Sequence, residues 1–380
     1  MLLIRNGAVH LGAGRCQTGW DILCDGPVIR ALGPGLEAAD ARVIDAAGLD
    51  VYPGLVLGLC AVGAVGFGDF SGAWDINETS TPLYPDADIR HAFDLRELKS
   101  QRFGRAGITS YGLSPGIKNL LAGQMAFIHV DGERTEDVFL AKQIALKGNY
   151  TKTVKNTFGA KMAPQTRMAM FQMLDDSFRA AQEYMDKAEK DYDAGKEVLC
   201  RALRRETPFV VNANTQNEIE SVILLGRRYN LDVVLCGAYG LAPVADQVIE
   251  LGWHVFLGDA NNMSVGLDTD MCHERFVEIY RKGLKLSIFG SGDEGYANAY
   301  EQLHWVAALM HRGGATGGEI MDMMTINPAK ALRVDHLVGS LEVGKQADII
   351  LCRGNPAVRF DNYIEHTIVA GKHFFSRGGQ

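Results

Sequence analysis

The chain has 380 residues, of which 47% are hydrophobic and 22% are charged, and its formal net charge is −8 at pH 7. This balance is typical of a globular protein with a large core. The acidic charge and the lack of a basic run argue against nucleic-acid binding, and no apolar run reaches the roughly 18 residues that a membrane span needs.

Cysteine usage and the N-terminus indicate the compartment. The seven cysteines are irregularly spaced and include no CxxC pair, which favours reduced thiols. The apolar start of the chain ends after a few residues at Arg5-Asn6-Gly7, too early for a signal peptide. We therefore expect a soluble, cytoplasmic protein.

Both ends of the chain show short apolar segments separated by turn residues. These segments predict strands at Leu2–Arg5, Trp20–Leu23, Val28–Leu32, Asp348–Cys352, Ile364–Val369 and His373–Phe375. Because chain ends often lie close together, the two groups predict one small β-sandwich, built from residues 1–52 and 336–380.

The middle of the chain, residues 53–335, alternates between strand and helix patterns. It begins with the apolar run Val51–Leu57, and a helical pattern over Ala87–Ala106 ends at Gly107, where a strand follows. Further predicted helices are Thr166–Lys190, Glu218–Tyr229, Pro243–Leu251, His273–Gly283, Ala299–Arg312 and Gly318–Met324. Further predicted strands are Phe209–Val211, Asp232–Leu235, His254–Leu257 and Lys285–Phe289. This rhythm predicts an α/β fold with a closed, parallel (β/α)₈ TIM-type barrel.

Several motifs along the whole chain resemble the amidohydrolase superfamily. Val43–Gly48 followed by Val51–Leu55 is similar to the entry into the first barrel strand of that superfamily, and Thr325–Lys330 with Gly339–Asp348 resembles its C-terminal signature. The segments Asp75–Glu78, Pro115–Gln124 and Pro164–Met168 are similar to the imidazolonepropionase-related branch.

This resemblance implies zinc or another divalent metal at the carboxyl ends of the barrel strands. The positions that would ligate the metal hold other residues here: Leu59, Ala61, Gly148, Asn212, Asn214 and Cys236. Of the implied acids, Asp293 alone is retained. A hydrolytic metal needs about three good donors and one open position. Hydrocarbon and amide side chains do not provide these donors, so we expect no metal cofactor.

The remaining candidates have structural as well as functional interpretations. Asp293 is either a general base or a structurally satisfied carboxylate. Cys236 is interpreted as a buried, inert thiol, because no histidine lies at the matched positions to activate it. Cys60 lies between two inward-facing positions, so we expect it to point away from the pocket and to contribute packing. Asn212 and Asn214 either cross-link the former site or bind a polar ligand.

Two main hypotheses for function follow. The first is a non-catalytic subunit, a pseudoenzyme that pairs with an active amidohydrolase paralogue in a hetero-oligomer. The alternative is an atypical hydrolase that uses Asp293 to cleave a C–N bond in a small cyclic amide or ureido compound. A third hypothesis is a ligand sensor that uses the demetallated pocket.

Overall fold

The computed structural model describes residues 1–12, 14–65, 75–98, 101–258, 272–288, 299–359 and 361–378, with the side chains of residues 98, 101 and 299–301 left out. Two eight-stranded sheets organise the described chain. The first, here the terminal sheet, contains β1 (Leu2–Gly12), β2 (Arg15–Asp25), β3 (Val28–Gly33), β4 (Arg42–Asp45), β5 (Asp50–Pro53), β14 (Ile349–Cys352), β15 (Ile364–Val369) and β16 (Lys372–Ser376). The second, here the barrel sheet, contains β6 (Leu55–Cys60), β7 (Ile108–Leu113), β8 (Leu121–His129), β9 (Phe139–Asn149), β10 (Phe209–Ala213), β11 (Val233–Gly237), β12 (His254–Leu257) and β13 (Lys285–Ile288).

Helices connect most of the barrel strands. They are α1 (Leu95–Leu98), α2 (Gln101–Ala106), α3 (Thr135–Val138), α4 (Lys152–Phe158), α5 (Arg167–Met185), α6 (Ala194–Leu203), α7 (Gln216–Tyr229), α8 (Ala245–Glu250), α9 (His273–Arg281), α10 (Ala299–Arg312), α11 (Gly317–Met324) and α12 (Ile326–Ala331), with 3₁₀ turns at Ile89–Ala92 and Ala242–Val244. Within the described ranges, no helix has both the length and the hydropathy of a membrane span.

The two ends of the chain share the terminal sheet, as the sequence predicts. β14 pairs antiparallel with β5, and β1 pairs with β4 through its first residues and with β5 through Ala8 and Val9. One hydrogen-bonded path in the order β16-β15-β14-β5-β1-β2-β3 joins the strands, and β4 lies beside β1. The structure therefore shows a sheet separate from the barrel.

The predicted apolar run Val51–Leu57 divides between the two sheets. Pro53 ends β5, and Gly54 donates its backbone N–H to the Asp348 carbonyl before β6 begins. A Cβ at Gly54 would lie 2.2 Å from Thr109 Oγ1, so only glycine fits where the chain passes into the barrel.

The barrel is not fully parallel, which corrects the sequence prediction. The strand order is β13-β12-β11-β10-β9-β8-β7-β6, and β8 runs antiparallel to both β7 and β9. Parallel neighbours need a crossover of about a dozen residues or more. Residues 114–120 alone separate β7 from β8, so this connection can only reverse the chain direction. The result is a nearly closed, eight-stranded barrel with one reversed strand.

Polar side chains from the C-terminal signature join the barrel to the terminal sheet. His129 Nε2 at the end of β8 lies 3.0 Å from Asp348 Oδ2, and both residues are 96% buried. The other Asp348 oxygen accepts a hydrogen bond from the Ala370 backbone. The signature aspartate therefore holds β8 and the β15–β16 turn together.

The predicted helix Ala87–Ala106 is broken into a 3₁₀ turn and two short α-helices. Asp88 and Asp94 each accept a hydrogen bond from the backbone N–H two residues later, at Arg90 and Arg96. Such local bonds compete with a continuous helical ladder and start a new turn each time. The periodicity predicts the helical character correctly but not these interruptions.

Candidate functional site

The interior of the barrel contains one layer of register-paired residues near the strand ends. In the parallel ladders, Asn149 of β9 pairs with Asn212 of β10, and Asn212 pairs with Cys236 of β11. Cys236 in turn pairs with Phe256 of β12, and Phe256 pairs with Ser287 of β13. Paired residues share a face of the sheet, so these five side chains point to the same side. The predicted residues Asn212 and Cys236 therefore lie together.

Gly148 lies on the opposite face, toward the helices. A Cβ built on it would be 2.6 Å from the ring of Phe209, and that ring packs edge-on against Phe178 of α5. The inward residues of β9 are therefore Lys147 and Asn149, because successive residues of a strand alternate between faces. The sequence predicted that Gly148 faces the pocket, whereas in the structure it faces the helices and its two neighbours point inward.

Lys147 brings an ammonium group into this layer. Its side chain is one of the largest fully buried ones in the protein. Nζ donates hydrogen bonds to Asn149 Oδ1 at 2.5 Å, to Asn212 Oδ1 at 2.9 Å and to the Gly148 carbonyl at 2.8 Å. Oxygen acceptors thus hold a buried cation between β9 and β10, as a buried charge requires.

The amide of Asn149 connects this cation to the loop after β7. Asn149 Nδ2 donates to the carbonyls of Gly116 and Asn119, at 3.1 and 2.7 Å. Both carbonyls belong to the glycine-containing segment that the resemblance singled out. The function of that segment is therefore at least partly structural: its backbone orients Asn149 so that the amide oxygen faces Lys147.

Asn214 lies beyond the end of β10 and is half-buried. Its backbone N–H donates to Glu218 at the start of α7, and its carbonyl accepts from the Gly240 backbone. Its side-chain oxygen lies directly against the backbone of Gly237, where a Cβ on that glycine would clash with the oxygen. Asn214 thus packs over the end of β11, apart from the Lys147 contacts.

The first barrel strand, β6, contains a bulge. Leu59 lies within this bulge, and Ala61 follows it. Leu57 and Cys60 are three residues apart but pair with Tyr111 and Leu113, which are two apart. Leu59 is 9% exposed and Ala61 is 3% exposed, and both pack in the main hydrophobic cluster.

A large aromatic side chain fills the interior beside β6. A Cβ on Gly58 would lie 2.7 Å from the ring of Phe256, so the ring rests directly on the glycine backbone. Phe256 was not predicted as a site residue, because its side chain carries no ligand atom and lies within an ordinary apolar strand pattern.

Cys236 is a buried thiol. Burial raises its pKa to about 12, and the nearby Lys147 ammonium only partly offsets that rise. Cys60 is buried as well, and burial raises its pKa to about 12. Both sulfurs are therefore protonated at neutral pH and are poor nucleophiles.

Metal binding can be tested against these groups. The inward oxygens of Asn149 and Asn212 already accept hydrogen bonds from an ammonium, and the Cys236 sulfur is a neutral thiol. In the described part of the chain, no group of three or more His, Cys, Asp or Glu side chains could hold a metal ion. Asp293 lies outside the described residues. The described groups at these positions do not fit a divalent cation.

Comparison with known proteins relates part of the chain to one family model and the whole chain to a known fold. Residues 210–373 match the model of the amidohydrolase family. The chain has an amidohydrolase fold. A structure of an amidohydrolase from Thermotoga maritima superposes with a TM-score of 0.90 at 23% identity, covering 99% of this chain and 100% of that one. The family model covers less than half of the chain, and the superposition shows that the whole chain has this fold.

Other structures of the same fold are more distant. A prolidase complexed with N-methylphosphonate-L-proline superposes with a TM-score of 0.58 at 15% identity, covering 99% of each chain. The Escherichia coli guanine deaminase superposes with a TM-score of 0.54 at 14% identity, covering 99% of this chain and 100% of that one. At these identities the likeness shows the fold alone.

Sequence relatives match only short segments. A dihydroorotase of Streptococcus thermophilus is 46% identical over 56 residues, which are 15% of this chain and 13% of that protein. A 5-methylthioadenosine/S-adenosylhomocysteine deaminase of Thermoanaerobacter pseudethanolicus is 36% identical over 81 residues, or 20% of this chain and 19% of that protein. The matches thus span less than a fifth of the length of either relative.

Proposed function

We propose that this amidohydrolase-fold protein carries a lysine ammonium in place of a catalytic metal ion, and that it is a non-catalytic subunit of an active amidohydrolase paralogue. The observation that carries the proposal is the set of three hydrogen bonds from buried Lys147 to Asn149, Asn212 and the Gly148 carbonyl. The imidazolonepropionase-related branch stays a prediction from sequence.

Electrostatics supports the exchange of metal for ammonium. A divalent ion bound by several donors lowers the pKa of its water toward neutrality, which produces the nucleophile of metal-dependent hydrolysis. An ammonium has half that charge and has no coordination position at which a water molecule could be activated. It stabilises the interior of the barrel but does not supply hydroxide.

Packing supports the same proposal. The ring of Phe256 lies against Gly58, and Leu59 and Ala61 are buried among hydrocarbon side chains. The space beside the first strand is therefore filled by carbon atoms. A structural subunit needs this kind of dense interior, since close packing is what keeps the fold stable after the metal ligands are replaced.

The names of the matched proteins favour the alternative, an atypical hydrolase that uses Asp293 to cleave a C–N bond. Dihydroorotase and the deaminases are enzymes, so the fold is compatible with such chemistry. In this alternative, Asp293→Asn abolishes turnover of a cyclic amide by the purified chain. In the subunit proposal there is no turnover to abolish.

The experiment measures metal content and activity on the same sample. The purified chain is incubated with zinc, manganese or cobalt, desalted and analysed by mass spectrometry for metal, then assayed with dihydroorotate, hydantoin and an imidazolone. We expect far less than one metal per chain and no turnover. Stoichiometric metal, or turnover within the range of about 1–1,000 s⁻¹ common for enzymes, contradicts the proposal.

The partner is tested separately. The chain is co-expressed with a paralogue that retains its metal ligands, with a tag on one of the two proteins. We expect a stable complex with a fixed ratio of the chains and a paralogue activity that rises when the complex forms. If the two proteins elute separately and the activity is unchanged, the subunit role is wrong, whatever the metal content.

A further inference from the structure

A cavity lies at the opposite end of the barrel from Lys147. It has a volume of about 550 Å³ and lies between α2, α10, the segment before β15, and β16. Arg105 and His304 line it from the two helices, and Arg359, Tyr363 and Arg377 line it from the C-terminal part of the chain. α2 ends at Ala106, immediately before β7 starts, so the cavity lies at the amino-terminal face of the barrel. It is separate from the layer that contains Asn149 and Asn212.

The cavity is positively charged although the protein is acidic. Three guanidinium groups line it, and no described lining residue is an Asp or a Glu. Arg359 is neutralised, because its guanidinium forms two hydrogen bonds with the carboxylate of Asp361. Arg105 forms no ion pair with any residue that the structure describes. Arg377 lies with its guanidinium carbon 3.2 Å from the centre of the Tyr363 ring, which orients the group without neutralising it.

The histidine of the lining, His304, does not add charge at neutral pH. Its Nε2 lies 2.8 Å from the Ala106 carbonyl, and burial lowers its pKa below the usual histidine range. The imidazole is therefore neutral and fixes the end of α2, which carries Arg105. The net charge of the described lining at pH 7 comes from Arg105 and Arg377.

We propose that this cavity binds a small organic phosphate monoester, with Arg105 and Arg377 contacting the phosphate. Two guanidinium groups match the charge of a phosphate dianion, and their planar arrays of N–H donors match its oxygen atoms. The volume lies within the range of small-molecule sites and is larger than a free phosphate ion needs. The apolar side chains of Ile364 and Phe375 leave room for a carbon skeleton beside the charged end.

The test is calorimetric titration of the whole chain with ribose 5-phosphate, inorganic phosphate and ribose at low ionic strength. We expect ribose 5-phosphate to bind at least about tenfold more tightly than inorganic phosphate, and ribose not to bind. Arg105→Gln and Arg377→Gln should each weaken binding by about tenfold or more. Arg275→Gln, at a half-buried arginine of α9 that pairs with Glu278, is the control for overall charge and should leave the affinity unchanged.

Each other outcome overturns the assignment. No binding of ribose 5-phosphate at about 10 mM would show that the arginines are only solvated. If inorganic phosphate binds as tightly as ribose 5-phosphate, the cavity does not recognise an organic ligand. If Arg275→Gln weakens binding as much as the cavity variants do, the effect comes from the overall charge of the protein. Melting temperatures of all variants are measured in parallel. Arg105 is exposed and has no ion pair with a described residue, so Arg105→Gln should fold normally and still test the proposal if Arg377→Gln unfolds.

Discussion

Replacement of Lys147 by methionine tests whether the buried ammonium holds the barrel interior together. Methionine has a similar length but donates no hydrogen bond. Asn149 Oδ1 and Asn212 Oδ1 would each lose a buried donor, and an unsatisfied buried acceptor costs about 1–3 kcal/mol. The loss of two partners therefore costs about 2–6 kcal/mol. Removal of the desolvated charge offsets part of this, since burial of an ion costs several kcal/mol.

The net expectation is a decrease of about 1–3 kcal/mol in the free energy of unfolding, measured by urea denaturation. Lys285→Met is the matched control. Lys285 lies at the start of β13 in the same barrel, is exposed, and donates to the Gly252 carbonyl. Exposed substitutions usually change the free energy of unfolding by less than about 0.5 kcal/mol.

A double-mutant cycle separates the hydrogen bond from general packing. Asn212→Leu removes one acceptor and leaves the ammonium short of a partner, so it should also destabilise. In Lys147→Met/Asn212→Leu both members of this pair are apolar, and we expect the combined loss to be smaller than the sum by at least about 1 kcal/mol. Additive losses, or a Lys147→Met variant within about 0.5 kcal/mol of wild type, would refute the reasoning.

Three further predictions concern the same interior. Gly58→Ala should lower the free energy of unfolding by about 1–3 kcal/mol, because the added methyl group contacts the Phe256 ring. In the double variant, Phe256→Leu should reduce that loss, as measured by urea unfolding. Fully additive losses would contradict the contact. Burial, followed by the Lys285 charge, lowers the pKa of His254 to about 4 from 6.5. The folded state favours the neutral imidazole, so this group stabilises the protein fully above pH 6.5. The free energy of unfolding should decrease by up to about 3 kcal/mol as the pH falls toward 4, and His254→Gln should make this decrease smaller. In native protein at pH 8, iodoacetamide should modify the exposed Cys16 and Cys272 but not Cys236, as read by mass spectrometry of peptides; fast modification of Cys236 would show that its thiol is accessible and ionised.

The terminal strands could be predicted because their turn residues mark them clearly. Asn6-Gly7, Asp25-Gly26 and Ala370-Gly371 all lie at bulges or turns of the terminal sheet, where Asn6, Gly26 and Gly371 have positive φ. The direction of β8 could not be predicted in this way. Its sequence is an unbroken buried run that has the same pattern in a parallel or an antiparallel strand, and only the short connection at residues 114–120 carries the information.

The site shows the same limit at the level of single residues. The family resemblance placed Gly148 on the inner face of its strand, and a shift of one residue turns every side chain of a strand to the other face. The pattern Lys147-Gly148-Asn149 contained a usable signal. Two polar residues that alternate with glycine share a face, and the polar face of a buried strand is the one that lines the interior. Asp293, the remaining acid of the prediction, lies outside the described residues.

The two proposed functions place different demands on the barrel interior. A hydrolase has to keep an open position next to a strong positive charge, and close packing there opposes its chemistry. A subunit requires only that the barrel stays rigid and that its surface fits a partner, and the interior may then be filled completely. In this protein the ammonium of Lys147 is enclosed by oxygen acceptors, and the ring of Phe256 covers Gly58. Both features close the interior around groups of the chain itself. The subunit proposal expects such a closed interior, whereas a metal-dependent hydrolase needs an open position there.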